Sequence, residues 1–379
     1  VTVCLIMCVC SCESSYKSGN AEIDKILNNL VTGERTDAAL ANIRELDLSG
    51  LNIDSLPPLL EHCTGLVTLN LSHNAFAAVN LTKYEKLVRI DLSYNKLEHL
   101  SEDFMAADNL KNVKTINLTG NRISAIPPVL AKMTGLNELY LGYNQITAVG
   151  RELNVLKQLR IANFGHNAIK RFDMTCRSLQ ILNIENNQLR DMPEQIFTNK
   201  LLVLYAGHNS FRKLPDSVIN CKSLTSLRLE GNDIWYFPPE MQQLASLKIL
   251  NLSGCNINYI PANICVLPNL ETLYLNDNKI ATIPSVMAGL VSLKSLYLDN
   301  NAYTSFNYNM KYIVPSLRIL SLKGNRIPQL PDYIYQDTNL YRIDISDNPI
   351  DSSEIQSPKI TFGQSFLPEF DGTDDVVRR

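Results

Sequence analysis

From Ile43 onward one eleven-position pattern, LxxLxLxxNxL, recurs fourteen times. A chain written this way has to fold by stacking copies of a single unit. The first positions are Ile43, Leu66, Leu87, Val113, Leu136, Leu159, Leu179, Leu201, Leu224, Leu247, Leu270, Leu293, Leu317 and Leu340, and eight of the thirteen spacings are 23 residues. One such unit cannot bury its own apolar face, so neighbours stack and share one continuous core.

Within each copy, apolar residues at positions 4 and 6 alternate with mostly polar ones at 3, 5 and 7. This is the period of a short strand with one face buried, and it predicts one strand per copy in a parallel sheet. Position 9 is asparagine in twelve copies: Asn74, Asn95, Asn121, Asn144, Asn167, Asn187, Asn209, Asn232, Asn278, Asn301, Asn325 and Asn348. A buried amide carries two donors and an acceptor, so a stacked column of them is expected to satisfy backbone groups where each strand turns away. Leu51 and Cys255 interrupt the column. The first falls where an atypical capping copy belongs, and the second is expected to be a weak point. Eight copies continue with an apolar residue and proline: Leu56-Pro57, Ile126-Pro127, Met192-Pro193, Leu214-Pro215, Phe237-Pro238, Ile260-Pro261, Ile283-Pro284 and Leu330-Pro331. Proline presets the backbone and forbids strand pairing, so the chain should turn there into a short segment on the far side.

LETLYLNDNKI from Leu270 and LRILSLKGNRI from Leu317 show the pattern clearly. It resembles the leucine-rich repeat, and the LP/IP form at about 23 residues resembles the intracellular class of that family. The chain is similar in this respect to Ras-pathway leucine-rich-repeat scaffolds and to the repeat arrays of LAP-type scaffolds and PH-domain leucine-rich-repeat protein phosphatases. The resemblance covers roughly residues 43–350. It implies an α/β solenoid, a horseshoe of about 14 repeats with a parallel concave sheet and an irregular or short helical convex side.

A solenoid needs closed ends. Ile23, Ile26, Leu27 and Leu30 lie at helical spacing, with Asn20 placed as N-cap and Gly33 just past the end, which predicts a capping helix within residues 20–42. The repeats then span 43–351, and 352–379 reads as a cap remnant followed by a polar tail or linker. Residues 1–19 form a leader or extension. The stretch VTVCLIMCVCSC is too short to span a bilayer and lacks a basic flank. Three readings stay open for it: a truncated signal or other leader, which Val1 favours, a loose extension, and, least favoured, a palmitoylated cysteine cluster.

The sequence holds no block of like charge, with 35 basic against 38 acidic residues and a formal net charge of -3. A nucleic-acid partner therefore finds no electrostatic footprint. Beyond Cys4, Cys8, Cys10 and Cys12, the cysteines Cys63, Cys176, Cys221, Cys255 and Cys265 are scattered singly. They read as reduced core residues, which favours a cytoplasmic home. GxxxxGK[ST], GxSxG and HExxH are absent. FDGTDD at 370–375 has too little chain after it for a metal-dependent phosphatase site and reads as a solvated acidic tail. His73, His166 and His208 share position 8, but no cysteine or carboxylate joins them into a zinc site. No cofactor, metal or enzymatic activity is expected. Glycosylation sequons occur at Asn70, Asn80, Asn117 and Asn251; three of the four follow from the repeat consensus on packed strands.

Function is expected on the face made by positions 3, 5 and 7. Ile161, Ile181 and Val203 are consecutive apolar residues at position 3, flanked by Tyr140 and Tyr205 at position 5, with Gly142, Gly165 and Gly207 at position 7. Apolar groups beside missing side chains predict a shallow pocket for a partner's anchor. Arg228, Tyr274 and Tyr297, with Glu230 and Asp299, form a second candidate group. Trp235, Tyr236 and Tyr259 form a third on the flank. The leading expectation is an intracellular protein-interaction module or scaffold in signalling. The alternatives are the regulatory repeat region of a larger signalling enzyme, such as a leucine-rich-repeat phosphatase, and a secreted or receptor ectodomain.

Overall fold

A computed structural model of the protein describes residues 17–31, 33–192, 194–306, 310–313, 316–351 and 360–361. The N-terminal cysteine cluster, Pro193 and FDGTDD lie outside the described residues. The chain divides into two compact units, Val1–Ser178 and Leu179–Arg379.

The first unit opens with helix α1 (Ala21–Leu30), where the Asn20 side chain accepts hydrogen bonds from the Glu22 and Ile23 amides. Its core side is Ile23 and Leu27, while Leu30 stays exposed. A second helix that the apolar spacing does not reveal, α2 (Asp37–Ala41), follows under a Thr36 cap. Six parallel strands come next: β1 (Glu45–Asp47), β2 (Thr68–Asn70), β3 (Arg89–Asp91), β4 (Thr115–Asn117), β5 (Glu138–Tyr140) and β7 (Ile161–Asn163), paired in that order. Between and after the last two, β6 (Ala148–Val149) and β8 (Arg171–Phe172) make a separate two-stranded parallel ladder.

In the second unit the ladder runs β9 (Ile181–Asn183), β10 (Val203–Tyr205), β11 (Ser226–Arg228), β12 (Ile249–Asn251), β13 (Thr272–Tyr274), β14 (Ser295–Tyr297), β15 (Ile319–Ser321) and β16 (Arg342–Asp344). A further strand, β17 (Ile360–Thr361), pairs parallel to β16 beyond the last repeat, with Ile343 opposite Ile360. Each repeat thus contributes positions 3 to 5 as its strand, and the register keeps position 4 of one repeat against position 4 of the next, as in Leu204↔Leu227 and Leu250↔Leu273. Position 4 is buried throughout and position 3 is mostly part-exposed, the alternation that a one-sided sheet requires.

Proline does what its geometry predicts. Pro57, Pro127, Pro215, Pro261 and Pro284 each cap a 3-10 turn, the first of these being Pro58–His62. Pro331 precedes helix Asp332–Gln336. Cys63, Cys176, Cys221, Cys255 and Cys265 are unpaired and buried, and burial pushes the Cys63 and Cys176 thiols up to about 11. They are packing groups with little thiolate to react.

The asparagine column is built from repeated bonds. Asn232 Nδ2 donates to Ala206 O of the previous repeat (3.0 Å) and Leu229 O of its own (2.8 Å), and its Oδ1 accepts the Phe211 amide (3.0 Å). Asn74 and Asn348 make the same three kinds of bond near the two ends of the array. At Cys255 the thiol donates to Leu229 O (3.2 Å) in the amide's place. Sulfur supplies no amide oxygen for the Ile234 N–H, the service that Asn278 Oδ1 gives Ile257 one repeat on (2.9 Å).

Candidate protein-binding face

Positions 3, 5 and 7 project from the sheet on the side opposite the core. In the second unit, β9 and β11 flank β10 so that Val203 lies between Ile181 and Ser226, and Tyr205 between Asn183 and Arg228. Val203 and Tyr205 are 6% and 5% exposed, with half-buried Ile181 packed on them. The guanidinium carbon of Arg228 sits 5.3 Å from the Tyr205 ring centroid, a cation–π contact. This corrects the expected geometry twice. Arg228 belongs with Tyr205, not with Tyr274, because β12 stands between them. The apolar residues form a packed cluster with a cationic lid, not an open pocket.

The glycines explain why. A Cβ on Gly207 would lie 2.8 Å from Glu230 Cδ, so the space it leaves is filled by the Glu230 side chain. That carboxyl is pushed above the usual range, chiefly by burial and further by Glu185, against its own backbone N–H, Arg228 and His208. Its Oε2 is shielded from solvent, and among the described residues no hydrogen-bond donor reaches it.

In the first unit, Tyr140 is 7% exposed and its hydroxyl reaches Glu138 Oε2 at 3.4 Å. Ile161, half-buried, pairs with Glu138, while Tyr140 pairs with Asn163. The place beside Gly142 is lined by Asn163 Oδ1, 3.2 Å from a would-be Cβ, so this glycine leaves no open pocket either. Tyr274 and Tyr297 do meet, stacked with centroids 4.7 Å apart and planes 9° apart. Tyr297 is buried and Tyr274 half-buried. Beside them, Asp299 Oδ1 accepts the Lys323 amide at 3.0 Å and the Ser321 hydroxyl. On the flank, Trp235 and Tyr259 are 69% and 64% exposed.

Position 8 carries a feature absent from the expectations: its backbone is left-handed, from His73 (φ 55°) to Asp347 (φ 56°). The recurrence of Gly, Asn, Asp and His there was the available signal. Two pairs of these residues stack, His73 on Tyr94 at 4.4 Å and Tyr143 on His166 at 4.0 Å. His73 and His166 are therefore ring-stacking groups. Among the described residues no cluster of metal-binding side chains occurs.

Family models described as "Leucine rich repeat" match residues 177–234 and 245–302, and "Leucine Rich repeats (2 copies)" matches 111–154. The matched segments carry leucine-rich repeats. The chain is 29% identical over 200 residues to human oligodendrocyte-myelin glycoprotein, covering 52% of the chain and 39% of that protein. It is 27% identical over 220 residues to mouse leucine-rich repeat serine/threonine-protein kinase 1, covering 52% of the chain and 10% of the kinase. The chain spans half or less of the curated relatives it matches first. Among solved structures, an LRR protein of Leptospira interrogans is 25% identical with a TM-score of 0.69, covering 86% of this chain and 97% of that one. An internalin of Listeria monocytogenes is 23% identical with a TM-score of 0.73, covering 86% and 95%. Among the described residues no helix is long and apolar enough to cross a membrane.

Proposed function

We propose that the repeats bind a protein partner on the open strand face, and that the docking centre in the second unit is Ile181, Val203, Tyr205 and Arg228. One observation carries this reading: an aliphatic–aromatic cluster on the solvent side of the sheet, packed together and closed by a guanidinium. Preorganised aromatic and arginine groups are the side chains that dominate binding energy when a partner excludes water around them. The repeats supply shape and contacts, not catalysis. Affinity capture followed by binding measurements on Ile181→Glu tests the assignment.

A scaffold or regulatory role in a signalling assembly follows the same face, and a catalytic domain elsewhere in the reading frame would make these repeats its regulatory region, as the kinase relative suggests. The buried free thiols favour a reducing compartment. A second location, outside the cell, is favoured by relatives and neighbours whose names are those of a glycoprotein and of receptor ectodomains. The sequons discriminate. Asn117 is buried on its strand and Asn80 is exposed, so a glycan found on Asn80 of the native protein by mass spectrometry would end the cytoplasmic reading.

A further inference from the structure

Position 2 of each repeat lies at the entering edge of its strand, and in five consecutive repeats this column reads Lys248, Glu271, Lys294, Arg318, Tyr341. Backbone bonds hold it in register: Glu271 N donates to Lys248 O, Lys294 N to Glu271 O, Arg318 N to Lys294 O, and Tyr341 N to Arg318 O, at 2.7–3.1 Å. A cleft of about 410 Å³ opens beside it, lined also by Asn269, Val291, Ser292 and Ser316.

The charges in this column are unevenly matched. Glu271 is held between Lys248 Nζ (3.1 Å) and Lys294 Nζ (2.5 Å), so plus, minus and plus alternate across three strands. The next step breaks the alternation. Lys294 and Arg318 stand on neighbouring strands with no carboxylate between them, and among the described residues Arg318 forms no ion pair. Strands about 4.8 Å apart bring like charges close, an arrangement that costs stability unless an anion intervenes. Glu271 shows which anion the column accommodates, a carboxylate held from both sides. The apolar side chains of Val291 and Tyr341, 73% and 60% exposed, flank the same stretch.

We propose that the place between Lys294 and Arg318 receives a carboxylate from an acidic segment of a partner protein, whose neighbouring apolar residues rest on Val291 and Tyr341. This site lies at the strand edge, separate from the proposed docking centre on the open face. Glu271 acts in it as a built-in competitor for Lys294. The arginine fork accepts a carboxylate through two parallel N–H donors, while the lysine contributes a point charge.

The test uses the full chain and two labelled eight-residue peptides, one alternating Glu and Leu and the other Gln and Leu, titrated by fluorescence anisotropy at low salt. The Glu peptide is expected to bind about tenfold more tightly than the Gln peptide, and Arg318→Ala to remove most of that difference without changing the melting temperature. Glu271→Gln is expected to raise affinity about threefold by releasing both lysines, and Ile181→Glu to leave it unchanged. Equal binding of the two peptides, no binding of either, or indifference to Arg318→Ala overturns the proposal. A third titration, with inorganic phosphate, separates the sources: tighter Arg318-dependent binding of phosphate than of the Glu peptide would also overturn it, in favour of a phosphorylated ligand.

Discussion

The ring of Tyr94 occupies the space that a side chain on Gly120 would need: a Cβ there would lie 2.6 Å from Tyr94 Cδ1. Both residues hold position 8 of consecutive repeats, with φ of 54° and 70°. Gly120→Ala therefore meets two penalties, a left-handed backbone and a displaced ring. It is expected to cost about 2 kcal/mol, of which about 1 kcal/mol is the backbone's share. In a Tyr94→Ala background only the backbone share should remain. Denaturant unfolding of the two single variants and the double variant checks this, and strictly additive costs would mean that the ring is not what excludes the side chain.

Asn232→Ala removes the donors to Ala206 O and Leu229 O and the acceptor of the Phe211 amide, all buried. Stranding these groups is expected to cost about 3 kcal/mol, read from the same unfolding measurement. Cys255→Asn runs the other way, because an amide there regains an acceptor for Ile234 N–H; about 1 kcal/mol of stabilisation is expected. An unchanged Asn232→Ala protein would break the account of the column.

Most of the fold was legible because each repeat restates it. Fourteen copies of a period-2 segment average out local ambiguity, and Pro57 or Asn232 has a job that follows from its chemistry alone. The candidate site was less legible, because the residues that decide it come from different repeats. Nothing in the sequence indicates that Glu230 fills the room beside Gly207, or that Arg228 folds back over Tyr205 and away from the Tyr274–Tyr297 stack. Those contacts depend on rotamers of long side chains, and spacing leaves rotamers undetermined. Helix α2 has only one buried apolar residue, Leu40, so it has no periodicity to detect.

Glu230 gives a pH-dependent test. Burial, aided by Glu185, raises its carboxyl in the folded chain. The folded state therefore binds a proton more readily than the unfolded one. The ionised group lowers stability at neutral pH, and that loss is recovered as pH falls through the folded value. Glu230→Gln carries no charge to desolvate. Its melting temperature is expected to exceed the wild-type value near pH 7 and to converge with it toward about pH 4. A Gln variant less stable at neutral pH would mean that Arg228 and His208 outweigh burial.

Ile181 offers the cleanest probe of the docking face, because it is half-buried on the solvent side of β9 and touches the Val203–Tyr205 cluster. A carboxylate placed there stays hydrated in the free protein, so the fold should survive. A partner that covers the cluster must then bury that charge unpaired, which is expected to weaken binding by at least about 2 kcal/mol, roughly thirtyfold. Tyr205→Ala is a poorer probe, since a ring only 5% exposed contributes to stability itself; its loss is expected to cost about 3 kcal/mol of folding. Tyr205→Phe keeps the packing and isolates the hydroxyl. Lys132→Glu serves as the control, because among the described residues the ion pair of Lys132 is an exposed one with Glu102, and such pairs are worth about 1 kcal/mol or less. Melting curves and partner affinities on the same preparations decide the matter. If Ile181→Glu keeps both its melting temperature and full affinity, the partner does not dock on this cluster, and the stacked Tyr274–Tyr297 pair becomes the next face to test.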